Sequence, residues 1–537
     1  MKDKMCMRVF DENSGIKQSS GLMQASKICL VVLVWAALAA NAQEQQPKFK
    51  VPVPQGTRQP RVLTLEECIQ MALQHNLDIQ IQRYNPLINE YALNINSAYY
   101  EPTLSFRASH NFNSSPGGIN PQTGLPFTSS ERNTDSYTPE LFGTVPSGDL
   151  PIGGLTYDLI GPLSEQSGSS IPPGSSFKYT SSPGITLRQP LLKNLWIDNN
   201  RFQILLSKNT LKTSKEALRQ SIMATITSVQ QAYYNLIFAR EAVKVNQAAF
   251  QLAEQLLNEN RKRVEVGALA PLDEKQSQSQ AATSWADLLS AQHVQVTQEN
   301  LLKGLLTDNY GEWANVTPVP SEGLSAVQQE VDLQQSWRIA LEKRPDMAQQ
   351  RLFLDRQNIT VKYNYNQLFP QVDLTGSYGR NAANNTFSGN LDDIRQERNP
   401  FYSYGVIVSI PLGNGAARNS YKSAKVSAKQ ALLQLKQLEQ SVIVQIDNDV
   451  GQVELTYRRI GATREARIFA EEALYAEQKK LENGKSTSFV VLQLQRDLTL
   501  TRSNEIRALA DYNIALAQLA LDEGITLEQN RIEFKVK

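Results

Sequence analysis

Ile222-Met223-Ala224-Thr225-Ile226-Thr227-Ser228-Val229-Gln230-Gln231-Ala232-Tyr233-Tyr234-Asn235-Leu236 is the stretch that decides the fold. Ile222, Val229 and Leu236 stand at heptad spacing, and the spacing continues through Val243, Phe250, Leu257 and Val264. Three positions after each comes a small or polar residue: Thr225, Ala232, Ala239, Asn246, Ala253, Asn260. No proline interrupts the chain from about Asn194 to Val266, so a helix over 194–266 would run roughly 100 Å at 1.5 Å per residue. A second proline-free run, 414–483, repeats the register at one constant offset. Ile446, Val453, Ile460, Leu474 and Leu481 stand there for Val229, Leu236, Val243, Leu257 and Val264, and Arg467 interrupts the series. Sustained heptads pack helices side by side, knobs into holes. The apolar seam is narrow and the remaining faces are rich in Gln, Ser, Asn and Lys, as the wall of a hollow tube requires. A coiled-coil rod without a pore is the plainer alternative.

Working outward, the chain is a duplication. Leu65-Glu66-Glu67-Cys68-Ile69-Gln70-Met71-Ala72-Leu73 resembles Leu333-Gln334-Gln335-Ser336-Trp337-Arg338-Ile339-Ala340-Leu341. The interval from Ala72 to Ala340 is the same as that from Pro102 to Pro370, while Pro190 and Pro411 are separated by a shorter one. The repeats span 63–310 and 331–525, joined by a connecting segment 311–330 and flanked by a linker 43–62 and a tail 526–537. Each reads helix, strand, loop, strand, long helix, turn, return helix, the return helices covering 272–310 and 489–522.

Strands are expected at about 102–112, 177–189, 370–380 and 401–411. Leu104, Phe106, Ala108, His110 and Phe112 alternate with Thr103, Ser105, Arg107, Ser109 and Asn111. Val372, Leu374, Gly376 and Tyr378 alternate with polar neighbours, and Tyr402, Tyr404, Val406, Val408 and Ile410 do the same; Ile185 and Leu187 are a weaker counterpart. Such alternation fits a sheet wetted on one face or a membrane barrel equally. Residues 113–176, dense in Gly, Pro, Ser and Thr, read as a long surface loop, and 380–400 as a shorter one. Four strands cannot close a cylinder alone, since membrane barrels need at least ~8. Open edges are forbidden in hydrocarbon, so spanning strands require several copies to combine.

The formal net charge of +1 argues against a nucleic-acid binder. Residues 1–42 read as a secretory signal, with Lys27, an apolar run Ile28–Leu38, and Ala40 and Ala42 at the cleavage site. Residues 1–22 form an unusual extension, and Met23 would give a more ordinary start. Cleavage leaves Cys68 alone, without a disulfide partner. His75, His110 and His293 are scattered, so no metal site is expected, and no stretch beyond residue 42 is apolar enough for a transmembrane helix. The absence of a nucleophile elbow, a phosphate-binding loop or a His-centred acid–base group gives no expectation of catalysis or a cofactor. Glu471-Glu472 read as solvated or i,i+4-paired helix residues.

Taken together, residues 62–525 resemble the TolC-type outer-membrane efflux family, whose members are exit channels of tripartite efflux or type I secretion systems. The resemblance rests on the duplicated order, the prolines Pro102, Pro190, Pro370 and Pro411 at the helix–strand joints, and two hairpins centred on Gly267 and Gly484. It implies a mainly α fold with a membrane β-part. Three chains would form a helical barrel across the periplasm, continuous with a twelve-stranded barrel, four strands per chain, in the outer membrane. It further implies docking of a hexameric membrane-fusion adaptor at a tip formed by 264–276 and 481–493. Gly267, Ala268, Asp273, Gly484, Lys485 and Ser486 would form that tip, and an inner-membrane pump of RND, MFS or ABC type would supply the energy. Relatives narrow the tip with aspartates where this chain has Val490 and Gln493, and latch it with an arginine and a tyrosine where it has Ser486 and Leu481. An Asp273–Lys485 pair across helix pairs is one substitute latch, worth at most ~1 kcal/mol if exposed. Two solvated charges are its alternative, and an apolar constriction at Val490 is the other option. A periplasmic adaptor also carries long helical hairpins, but duplicated strand pairs at the far end from the tips favour the channel. The cargo is not legible.

Overall fold

The structure, a computed structural model, describes residues 59–119, 121–146, 153–167 and 178–533. The signal expected over 1–42, its extension 1–22 and most of the linker 43–62 lie outside these residues.

Helices build the frame of the described residues: α1 (Leu65–His75), α2 (Leu77–Ser97), α3 (Asn199–Glu265), α4 (Pro271–Leu306), α5 (Leu333–Lys343), α6 (Pro345–Asn366), α7 (Phe387–Arg395), α8 (Gly415–Glu482) and α9 (Ser488–Asp522). The long helices α3 and α8 have 67 and 68 residues. Their starts come later than 194 and 414, because a proline-led bend precedes each. Asp198 caps α3 by accepting from the Arg201 N–H at 2.6 Å. Thr64 and Glu67 form a reciprocal capping box on α1.

The duplication is visible in individual hydrogen bonds. Arg83 Nη2 donates to the Leu73 carbonyl at 2.9 Å, and Arg351 Nη2 donates to the Leu341 carbonyl at 2.8 Å. Donor and acceptor are both displaced by the interval that separates Ala72 from Ala340. At the α1–α2 elbow Asn76 Nδ2 donates to the Leu305 carbonyl at 3.1 Å. At the α5–α6 elbow Arg344 occupies the equivalent place and donates to the Asp522 carbonyl at 3.0 Å.

The heptads bury as their spacing requires, with one twist. Ile222, Val229 and Leu236 are buried in a core shared with α1 and the end of α4, and Ile446, Val453 and Ile460 in a second core with α9. Toward the turn, Phe250 and Leu257 are only half-buried, while Ala253, Leu256 and Asn260 are buried. Arg467, the break in the second heptad series, pairs with Glu505 and Glu471, and Arg502 reaches Glu471 at 2.8 Å. The bond from Arg502, ahead of that from Arg467, holds the Glu471 carboxyl below its ordinary range.

The two segments expected to be linkers carry structure. Strands β1 (Gln59–Leu63) and β8 (Val316–Pro320) form a parallel two-stranded ribbon, and Tyr233 Oη donates to the Leu63 carbonyl at 3.1 Å. The expected tail begins with a helical turn whose Leu527 is buried in the first core. Gly524 ends α9 at φ 80°, and a Cβ there would lie 2.8 Å from the backbone carbon of Lys343. Gly524→Ala is therefore expected to destabilise the chain by about 1–2 kcal/mol through the left-handed φ alone, read as a lower melting temperature.

The largest correction concerns residues 113–176. A nine-stranded antiparallel sheet contains the four expected strands and more. Its strands are β2 (Thr103–Ser115), β3 (Ser130–Thr144), β4 (Thr156–Ile160), β5 (Leu163–Ser167), β6 (Tyr179–Ser181), β7 (Gly184–Pro190), β9 (Gln371–Arg380), β10 (Ala382–Asn384) and β11 (Pro400–Ser409). β5 continues β4, β6 runs on into β7, and β9 into β10, so the strands form six lanes in the order β2, β3, β4/β5, β7/β6, β9/β10, β11. The lanes of β3 and β4/β5 come from the expected loop. Part of the expected loop 380–400 is likewise β10 and α7.

Candidate functional site

At the turn end, both long helices stop in the same way. Gly267 has φ 77° and Gly484 φ 69°. The next residue in each case donates back five positions: Ala268 N to Arg263 O at 2.7 Å and Lys485 N to Lys480 O at 2.8 Å. These are doubly bonded left-handed caps in which glycine avoids the Cβ penalty. Nothing lies within 4 Å of an added Cβ at either glycine, so φ and not crowding sets the residue type. Pro271 then opens α4 at its first turn, where its missing N–H costs nothing.

Around these turns Gly267, Ala268, Gly484 and Lys485 are exposed, while Ser486 is half-buried and donates to Glu477. That bond, ahead of the one from Lys480, lowers the Glu477 carboxyl from its ordinary value. Asp273 lies half-buried in the first turn of α4. Within the chain, among the described residues, Asp273 and Lys485 form no ion pair; neighbouring Glu274 instead meets Arg261 at 3.4 Å. Val490 and Gln493 are exposed three residues apart on α9, off the face that buries Ser488, Val491 and Leu492. Val266, Leu272 and Phe489 are also exposed there, which gives the turn end an apolar rim.

A cluster that the sequence reading left as mere seam residues joins the two hairpins. Asn260 Nδ2 donates to Ser277 Oγ at 2.7 Å, and Ser488 Oγ donates to Asn260 Oδ1 at 3.2 Å. Ser277 Oγ passes its own hydrogen to the Asp273 carbonyl at 2.9 Å. All three side chains are buried. The visible signal was an asparagine at a small-residue heptad position. Asn260→Ala is expected to cost about 1–3 kcal/mol locally, the desolvation of groups left unpaired. Hydrogen exchange at the Gly267 and Gly484 turns should then quicken about tenfold; unchanged exchange would show that the cluster does not hold the hairpins together.

At the opposite end the four prolines sit where strands meet helices. Pro102 and Pro370 immediately precede β2 and β9, Pro190 closes β7, and Pro411 follows β11. Two asparagines, absent from the sequence expectations as site residues, shape these joints. Asn194 at φ 68° and Asn414 at φ 42° turn the chain ahead of α3 and α8. Asn194 N donates to Asn366 Oδ1 at 2.8 Å, and Asn414 Nδ2 donates to the Leu368 carbonyl at 3.0 Å. Across the repeats, Arg188 Nε donates to Asp373 Oδ2 at 2.9 Å, and Gln371 Nε2 donates to the same oxygen at 2.7 Å. Asp373 is 3 % exposed, so the joint is locked by a buried carboxylate.

No cluster of metal-ligating side chains occurs among the described residues, and no described helix is long and apolar enough to cross a membrane. A family model for outer membrane efflux proteins matches residues 165–307 and 337–521. The outer membrane protein TolC of Vibrio cholerae is 25 % identical over 317 residues, which cover 57 % of this chain and 68 % of that protein. Nodulation protein T of Rhizobium leguminosarum bv. trifolii is 24 % identical over 34 % of this chain and 39 % of that protein. The Campylobacter jejuni CmeC outer membrane channel superposes with a TM-score of 0.62 at 15 % identity, covering 86 % of each chain. The open state of the Neisseria gonorrhoeae MtrE channel gives 0.58 at 16 % identity over 89 % of this chain and 96 % of that one. The family match falls on both repeats and takes in both glycine turns: this chain belongs to the outer membrane efflux protein family.

Proposed function

We propose that three copies form a passive exit duct across the periplasm and outer membrane, which opens when a periplasmic membrane-fusion adaptor docks at the turn end. An inner-membrane pump of RND, MFS or ABC type drives transport through that adaptor, and the duct itself performs no covalent chemistry. One observation carries the reading: paired helical hairpins with matching glycine caps at one end, joined through proline-marked bends to an antiparallel sheet at the other. In this reading Gly267, Ala268, Asp273, Gly484, Lys485 and Ser486 form the docking tip, with Val490 and Gln493 at the constriction. The Asp273–Lys485 contact then belongs between neighbouring copies. The apolar rim of Val266, Leu272 and Phe489 supports docking, because an adaptor would cover it.

Extraction from outer membranes and conductance in a planar bilayer test the proposal. The expected result is a trimer that needs detergent and conducts ions, with conductance altered by Asp273→Ala if that residue latches the tip. A water-soluble monomer that fails to conduct would end the channel reading.

A further inference from the structure

We propose that the stretch of helical wall nearest the sheet is a basic collar, which binds the carboxylate-bearing glycan–peptide mesh of the cell wall. The collar presupposes the duct reading above and lies away from both of its ends.

Its charges are set out twice. Lys208, Lys212 and Arg219 on α3 recur as Lys425, Lys429 and Lys436 on α8, at the interval that carries Val229 to Ile446. The near-zero net charge of the whole chain hides this concentration. Glu216 is the one acidic residue of α3 between 199 and 240, and α8 has none between 415 and 438. Arg219 is half-buried and lies 3.9 Å from Glu216. The five lysines are exposed, and none forms an ion pair among the described residues. Lys425 Nζ does lie 5.5 Å from the Tyr421 ring centroid, a contact that leaves its charge in place.

The stripe on α3 faces outward. At roughly 3.6 residues per turn, Gln230 and Ile237 continue the line of Lys212 and Arg219 toward the turn end. That line is covered by the β1–β8 ribbon and the chain's last helical turn. Gln230 Nε2 donates to Asn530 Oδ1 at 3.3 Å, and Arg240 Nη1 donates to the Pro318 carbonyl at 3.2 Å. Ile237 is buried in the core that contains Leu63 and Leu527. Such a layer on the inside of every copy would obstruct the bore, so the covered face is the outer one. Half a turn away, the opposite line carries the uncharged Gln203, Thr210, Ser221 and Ser228. The stripe on α8 takes the same face through the repeat.

Distance argues against lipid as the partner. Lys208 and Lys425 stand roughly 14 Å along their helices from the sheet ends, and Arg219 and Lys436 roughly 30 Å. Charges are screened within about 8 Å at physiological salt, so headgroups at the foot of the sheet reach only Arg201 and Arg418 in the first turns. Three copies would ring the tube with six such stripes. Lysine is a compact charge without the fork that reads shape, so the collar suits a polymer that repeats carboxylates in no fixed register. A tube crossing the periplasm must pass through such a mesh.

Protein held in discs of neutral phosphatidylcholine should co-sediment with purified cell-wall sacculi. Salt at about 1 M, which shortens screening to about 3 Å, should release it. Lys208→Gln, Lys212→Gln, Lys425→Gln and Lys429→Gln together should weaken binding at least about tenfold, as should amidation of the sacculus carboxylates. Arginine at the same four positions should retain binding, which separates lost charge from lost structure. Equal sedimentation of wild type and the glutamine variant, or indifference to amidation, would overturn the collar. So would two results obtained without sacculus binding. Stabilisation by phosphatidylglycerol that only the wild type shows would make the stripe a lipid site. A reversal potential shifted in the glutamine variant would place the stripe inside the bore. A conducting trimer that ignores sacculi defeats the collar alone, whereas a non-conducting, water-soluble monomer defeats duct and collar together.

Discussion

Arg344→Met lowers the stability of the second repeat by about 3–5 kcal/mol, the expected cost of removing one partner from a buried ion pair. Arg344 is 11 % exposed and Asp522 7 % exposed, and they meet at 3.2 Å. The same guanidinium holds Asp346 at 2.8 Å and the Asp522 carbonyl at 3.0 Å, so it closes the α5–α6 elbow onto the end of α9. Methionine keeps the volume of the stem but leaves a buried carboxylate without its cation. Melting of the detergent-solubilised protein and hydrogen exchange at residues 519–524 would read the loss. A shift smaller than about 1 kcal/mol would mean that Gln445 and Gln518, which donate to Asp522 at 2.7 and 2.6 Å, suffice without the arginine.

The second large effect depends on pH. Asp449 lies beside Asp522, and its carboxyl is pushed up from 3.8 to about 7. Burial is the main cause, followed by the negative charge of Asp522 and a hydrogen bond with it, and Arg344 opposes them. Asp449 Oδ2 is buried without a hydrogen-bond partner, which disfavours its charged form. The folded pKa is raised above the unfolded value, so the folded chain binds this proton more tightly. The cost of ionising it is absent below about pH 4, grows through the interval up to about 7, and is complete above that. Stability therefore falls as pH rises across this window. Asp449→Asn should match wild type at pH 4 and exceed it at pH 8 by about 2–4 kcal/mol. Parallel melting curves for the two proteins across the whole range would contradict this. Arg344→Met should show its deficit most strongly at alkaline pH, where Asp449 is ionised with no cation beside it.

Long-range order was legible from the sequence where many residues repeat one signal. Seven heptad positions specify α3, and the single offset that carries Val229 to Ile446 finds α8 without further help. The glycine caps were legible for the same reason, since two copies of one turn support each other. The β3 and β4/β5 lanes were not, and the cause is chemical. Pro139 and Pro162 punctuate them, Pro183 breaks the neighbouring β7/β6 lane, and a central proline argues against a strand. Here each proline uses its carbonyl: Gly161 N donates to Pro139 O at 2.9 Å, Ser182 N to Pro162 O at 3.3 Å and Arg380 N to Pro183 O at 3.0 Å. Pro162 and Pro183 fall at breaks in their lanes, where a missing N–H is harmless. The apolar–polar alternation of these strands is also too weak, lane by lane, to stand out from Ser- and Thr-rich loops. The Arg344–Asp449–Asp522 group was hidden for a different reason: its members come from an elbow and two separate helices, and no spacing links them.

The two glycine turns share one backbone but not one set of side chains. Behind Gly267 sits the neutral Asn260–Ser277 bond, whereas the counterpart of Asn260 behind Gly484 is Glu477, which takes hydrogens from Ser486 and Lys480. A ring of identical subunits seated on three such chains would alternate between two berths of different polar chemistry. Its occupancy should then fill in two steps of unequal salt sensitivity, because dissolved ions screen the differing charges of the two berths to different degrees.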